Sequence, residues 1–216
     1  MSYRPTEKTE ARKKAQHALL LNSALHIVSE QGFKGLTIQA VAQQAEVAIG
    51  TVYKYFESKA VLCTEVFQKG TEKEVNQVQL AAFPVDDEAL DKPSNQTCQA
   101  RLLNAISIFS ERAIEGRKLA YALIAEPVDP MVEAERIKYR RSYAEIFDAL
   151  LREGVECGEF CQQDTRIIAT ALVGTLAETV LGPYGTSTPE SLDFDQALLI
   201  KTIQNFCLKA VINSAS

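Results

Sequence analysis

The chain has 216 residues, 46% of them hydrophobic and 24% charged, a composition that excludes a disordered tail and leaves length for one or two packed domains. Its net charge of −5 is unevenly placed: residues 1–60 sum to +3 and the rest to −8, the layout expected where one end meets DNA and the other does not. No stretch approaches the ~18 consecutive apolar residues of a membrane span, and the polar N-terminus lacks the apolar core of a signal peptide, so a cytoplasmic protein without a membrane partner is expected.

In chain order, about Glu10 to Gln31 reads as one long amphipathic helix, with Leu21, Ala24, Leu25 and Val28 at helical spacing. Gly32 is placed to close it in the left-handed conformation, and Gly35 to allow a second sharp turn. Thr37 is then a natural N-cap for a short helix whose Ile38, Val41, Ala42 and Ala45 share a face. After Glu46 and Val47, the segment AIGTVYKYF reads helical again. Ile49, Val52 and Phe56 are expected to face inward, and Thr51, Tyr53, Lys54 and Tyr55 outward. Two short helices with a tight connection form a helix-turn-helix. Ser58 caps a fourth helix, which runs to about Leu80 and leaves the first domain.

Residues 83–95, with two prolines and four acids, read as a loop. Helical periodicity returns in about Thr97 to Ile114, Arg117 to Ala125, Met131 to Gly154, Asp164 to Leu181 and Phe194 to Ile212, with GPYGTSTPE between the last two. No convincing strand is found. The fold expected is all-α, with about nine helices: a helix-turn-helix DNA-binding domain over residues 1–65, then a helical effector-binding and dimerisation domain over 66–216. The last two helices are apolar over so much of their circumference that each must bury a second face, which points to a homodimer interface.

The second helix of a helix-turn-helix enters the major groove, so small residues at its start, Ala48 and Gly50, let its backbone approach the DNA. Thr51, Tyr53, Lys54 and Tyr55, with Thr37 and Lys59 at helix starts, supply hydroxyls, charges and N–H groups for phosphates. The run from Gly32 through Leu62, with the glycine turn before Thr37, the GTVYKYF signature and Lys59 after the next cap, resembles the DNA-binding domain of the TetR family of repressors. The likeness covers about residues 10 to 65. It implies that Gln39 and Ala48 to Thr51 read sequence, that the basic arm Arg12-Lys13-Lys14 reaches an adjacent groove, and that a small-molecule effector releases a homodimer from a pseudo-palindromic operator. An apolar or amphipathic effector would lie among Leu103, Phe109, Tyr121, Ile124, Tyr143 and Phe147. The fourth helix alone is expected to join both domains and to transmit the signal.

An enzyme finds little support: there is no Gly-rich phosphate loop, HExxH or GxSxG, and neither catalytic residue, metal nor cofactor is expected. His17 and His26 lie nine residues apart, on opposite faces of the first helix. The five cysteines, Cys63, Cys98, Cys157, Cys161 and Cys207, read as reduced thiols, with Cys157 and Cys161 the only close pair. A cysteine-based redox or metal-responsive regulator is the alternative reading.

Overall fold

The protein is described by a computed structural model over residues 7–87, 92–93, 96–182 and 195–212. Among these, nine helices and one two-stranded hairpin are present: α1 (Glu7–Gly35), α2 (Ile38–Gln44), α3 (Ile49–Tyr53), α4 (Lys59–Ala82), β1 (Val85–Asp87), β2 (Lys92–Pro93), α5 (Cys98–Glu115), α6 (Arg117–Ile124), α7 (Pro130–Glu156), α8 (Thr165–Leu181) and α9 (Gln196–Lys209). The hairpin corrects the expected loop. It pairs Val85 with Pro93 and Asp87 with Lys92, antiparallel, and both Val and Pro favour extended backbone. Most of the GPYGTSTPE segment lies outside the described residues.

Side-chain caps fix the helix starts. Thr37 accepts from the N–H of Ala40 for α2, Ser58 from Val61 for α4 and Thr97 from Ala100 for α5. Asp129, Asp164 and Asp195 do the same for α7, α8 and α9. Gly32 breaks the helical path of α1 with φ 70° and ψ −178°, so the last residues of α1 leave the axis of the preceding ones. Gly35 does not adopt a positive φ. Its missing side chain serves close approach instead, because a Cβ there would lie 2.4 Å from Cβ of Gln31.

Two apolar cores result. The first gathers Leu20, Ala24, Ile27 and Val28 of α1 with Val41, Val52, Phe56, Leu62, Val66 and Phe67. The second gathers Val78, Ala81 and Ala82 of α4 with buried residues of α5, α7, α8 and α9, among them Phe147 and Leu150. Helix α4 feeds both, as expected, but not alone: Ala122 and Leu123 of α6 and Val132 of α7 are buried in the first core. A helix of eight residues is too short to be stable unsupported, so α6 takes its place from what it packs against, and that includes α1.

Candidate nucleic-acid interface and effector cavity

The connection from α2 to α3 is held by the N–H of Val47 donating to the Ala42 carbonyl at 2.9 Å, with Glu46 at φ 54°. A non-glycine residue there is strained, yet the turn must be tight to set α3 across α2. Val52 and Phe56, both fully buried, anchor α3. The opposite surface shows Ala48, Gly50, Tyr53 and Lys54 exposed and Thr51 half-buried. Ile49 departs from expectation: it is 46% exposed, because the five-residue helix begins at that residue and its inward anchors follow at Val52 and Phe56. Tyr55 is half-buried against the core, its ring 6.2 Å from that of His17, rather than outside.

Thr37 and Gln39 are exposed at the start of α2, and Lys59 is exposed at the start of α4. A cation at a helix N-terminus meets the unfavourable end of the helix dipole. Nothing of the protein lies within 4 Å of where a Cβ on Gly50 would sit. Arg12, Lys13 and Lys14 are exposed on α1, within a regular helix rather than in an extended arm, since no Gly or Pro interrupts the segment. His17 faces the Glu65 carboxylate at 2.9 Å, whereas His26 is exposed.

Between α4, α5, α6, α7 and α8 lies a cavity of about 420 Å³. Of the six effector candidates, Phe109, Ile124 and Tyr143 line it. Phe147, one turn along α7 from Tyr143, is fully buried in the second core. Leu103 lies on α5, where its carbonyl accepts from Gln204, and Tyr121 lines a separate space at the domain junction. Phe67, Val78, Leu119 and Leu123 complete much of the apolar wall. Burial, with the Glu74 carboxylate nearby, pushes the Tyr143 phenol far above its usual value, so it stays protonated. Its ring meets Phe109 edge-on at 5.4 Å.

The polar side of this cavity is not apparent from periodicity. Arg112 pairs with both carboxylate oxygens of Glu74, joining α5 to α4. Arg136 is buried and donates to the carbonyls of Leu123 and Glu126 at 3.0 and 2.8 Å. Thr71, only 5% exposed, lines the cavity with its hydroxyl unpartnered among the described residues. A buried hydroxyl without a partner costs free energy, so a ligand that supplies one gains from it.

The cysteines arrange themselves otherwise than expected. The sulfur facing Cys157 is that of Cys98, 3.9 Å away and 59 residues distant in sequence, and the Glu159 carboxylate lies beside them. Arg101 donates to the Cys98 sulfur at 3.0 Å, and a fixed cation in that position opposes binding of a metal ion.

Comparison with known proteins agrees with this arrangement in both halves. The family profile "Bacterial regulatory proteins, tetR family" matches residues 20–66, and "Tetracyclin repressor-like, C-terminal domain" matches residues 95–190. The fatty acid metabolism regulator protein of Bacillus subtilis is 23% identical over 171 residues, covering 78% of this chain and 83% of its own. The transcriptional repressor KstR2 of Rhodococcus jostii is 24% identical over 68% of this chain and 69% of its own. In three dimensions, the fatty acid degradation regulator FadR of Bacillus halodurans superposes with a TM-score of 0.71 at 21% identity, covering 95% of this chain and 97% of that one. FadR of Bacillus subtilis, solved in complex with stearoyl-CoA, gives 0.70 at 20% identity, over 89% and 98%. These relatives give no support to the cysteine-based alternative. With a helix-turn-helix and a helical sensor domain both matched, the chain belongs to the TetR family of transcriptional regulators.

Proposed function

We propose that the protein is a homodimeric repressor that leaves a pseudo-palindromic operator when a long-chain acyl thioester enters the cavity between α4 and α8. The carrying observation is the cavity itself: apolar walls, a size within the ~300–1,000 Å³ of small-molecule sites, and one buried unpartnered hydroxyl at Thr71. An acyl chain fits the apolar part, and its thioester carbonyl accepts from Thr71. Lys73 and Arg140, both exposed on the cavity's lining, meet the coenzyme phosphates. The complex of the similar Bacillus subtilis regulator with stearoyl-CoA favours the same class.

The test is fluorescence anisotropy on an operator selected from random DNA, titrated with stearoyl-CoA and butyryl-CoA. Release by the long chain alone is expected; indifference to both removes this ligand class. Thr71→Val preserves shape and deletes the hydroxyl. It should leave the free protein as stable or slightly more so while weakening stearoyl-CoA about five- to tenfold, the worth of one hydrogen bond. Calorimetric titration beside thermal unfolding reads both effects, and unchanged affinity would place the carbonyl elsewhere.

On the DNA side, Ala48, Gly50, Thr51, Tyr53 and Lys54 of α3, with Gln39, face the major groove, Thr37 and Lys59 meet the phosphates, and Tyr55 braces α3 against the core. Exposed Ile49 adds an apolar surface suited to a thymine methyl. Gly50→Ala separates this reading from a structural one. A Cβ there meets nothing in the protein, so stability should hold or rise by up to ~1 kcal/mol. Operator affinity should fall by about tenfold as the methyl group holds α3 off the groove floor. Equal affinity of variant and parent would show that α3 does not approach DNA at Gly50.

A further inference from the structure

We infer that Glu126 is the latch by which the sensor domain holds the helix-turn-helix, and that effector binding works by pulling it. The inference rests on the effector-responsive reading above and concerns how that response crosses the molecule. Glu126 follows the end of α6 and is 8% exposed. Its two carboxylate oxygens accept from two consecutive backbone amides of the other domain, Phe33 N–H at 2.8 Å and Lys34 N–H at 2.9 Å. Those amides are aimed at α6 because Gly32 turns the chain out of the α1 axis.

The seat is built around the carboxylate. A Cβ on Gly32 would lie 2.6 Å from Oε2 of Glu126, so a side chain there would push the carboxylate off its seat, and φ favours glycine independently. Beyond the latched amides, Leu36 is fully buried and Thr37 caps α2, so displacement of this turn is displacement of the helix-turn-helix. An ion pair between α6 and α1, Lys118 to Glu30 at 3.7 Å, is exposed at both ends and holds little.

Residues of α6 also line the cavity. Arg136 donates to the carbonyls of Ala122, Leu123 and Glu126, and Arg140 to that of Ile124. Leu123, Ile124, Arg136 and Arg140 all line the cavity. A ligand that displaces Leu123 and Ile124, or draws either guanidinium toward an acyl carbonyl or phosphate, therefore moves the main chain that ends in Glu126. Carboxylate hydrogen bonds of 2.8 and 2.9 Å have no slack to absorb such a shift. Binding in the cavity and closure of the latch thus compete, which is the differential interaction that coupling requires.

The test is the ratio of operator affinities with and without stearoyl-CoA, measured in the parent, Glu126→Gln and Glu126→Ala. A glutamine keeps one acceptor and the shape, guarding against loss of the fold. Both variants should still bind operator and stearoyl-CoA, while the effector-induced drop in operator affinity shrinks about tenfold in Glu126→Ala and by less in Glu126→Gln. Hydrogen exchange gives a readout that a purely structural bond would not move. Stearoyl-CoA should speed exchange over residues 31–36 of the parent, and exchange there should be fast and ligand-independent in Glu126→Ala. An unchanged ratio in both variants overturns the latch, as does a lowered melting temperature with coupling intact. Should stearoyl-CoA not bind the parent at all, the ligand proposal fails separately. Ala177→Trp, which fills the cavity from α8, then decides the latch: it should weaken operator binding in the parent and not in Glu126→Ala, and equal effects in both backgrounds overturn it.

Discussion

Replacing Phe206 by Glu will leave a folded monomer whose operator affinity is lower by two or more orders of magnitude. Phe206 is 61% exposed on α9, and Leu198, two turns before it, is 57% exposed, so neither belongs to the core of its own subunit. On α8, Ile167 is 66% exposed, and Ala171 and Gly174 follow at helical spacing as small exposed residues, with open space where a Gly174 side chain would be. An exposed apolar residue on α9 and a stripe of small exposed residues on α8, the helix it packs against, suit two copies of one surface meeting across a two-fold axis. A carboxylate placed there is desolvated on dimerisation without a partner and meets its own copy across the axis. The subunit core contains none of these atoms, so monomer stability should change little. On the proposed homodimeric reading DNA binding should nevertheless collapse, because each five-residue α3 would read one half-site and the dimer would supply the second, a factor on the order of 10²–10⁴. Sedimentation velocity at micromolar concentration, paired with anisotropy on the operator, checks both parts. A variant that still sediments as a dimer would move the interface off α8 and α9.

Much of this architecture is legible in the sequence because it is local. Thr37 and Ser58 announce helix starts by residue type, and Gly32 announces a turn. The inward spacing of Val52 and Phe56 and the length of α4 follow from periodicity within a few turns. What escapes is set by partners far along the chain. Glu126 reads as an acid between a short helix and a proline until α6 is placed against Phe33, 93 residues away. Arg136 falls on the 3.6-residue period of α7, yet it is buried because the open carbonyls of α6 receive it. Ile49 has the composition of a core residue and the position of an exposed one, because α3 begins there and so has no preceding turn to cover it. Cys157 is four residues from Cys161 in sequence, but its sulfur lies 3.9 Å from that of Cys98, because packing decides which helix ends meet. The aromatic and apolar effector candidates are sorted only by geometry, and the polar groups that would orient a ligand, Thr71 with Arg136 and Arg140 of α7, are not marked by residue type.

Arg136→Met should lower stability by about 3 kcal/mol, the cost expected when one partner of a buried charged network is removed. The side chain is 6% exposed, and an arginine cannot shed its proton to suit a dry site, although burial pushes its guanidinium below the ordinary value against the pull of Glu133. It is tolerated because three carbonyls at the end of α6 and the Glu133 carboxylate take up its donors, while its guanidinium carbon lies 5.9 Å from the Phe67 ring centroid. Methionine keeps most of the stem volume and removes all of those donors, so the loss is electrostatic and not a cavity. In a chain of this length, roughly 3 kcal/mol corresponds to a fall in melting temperature of about 6–12 °C. Arg140→Met makes the contrast, since Arg140 is exposed and gives α6 a single bond of 3.3 Å; its effect should stay within about 0.5 kcal/mol. The two arginines are one helical turn apart and line the same cavity, so a stability difference between them isolates burial and bond number from charge. Equal melting temperatures for the two variants would mean that the end of α6 finds other donors. In that case α6 would be held chiefly by Ala122 and Leu123 in the first core.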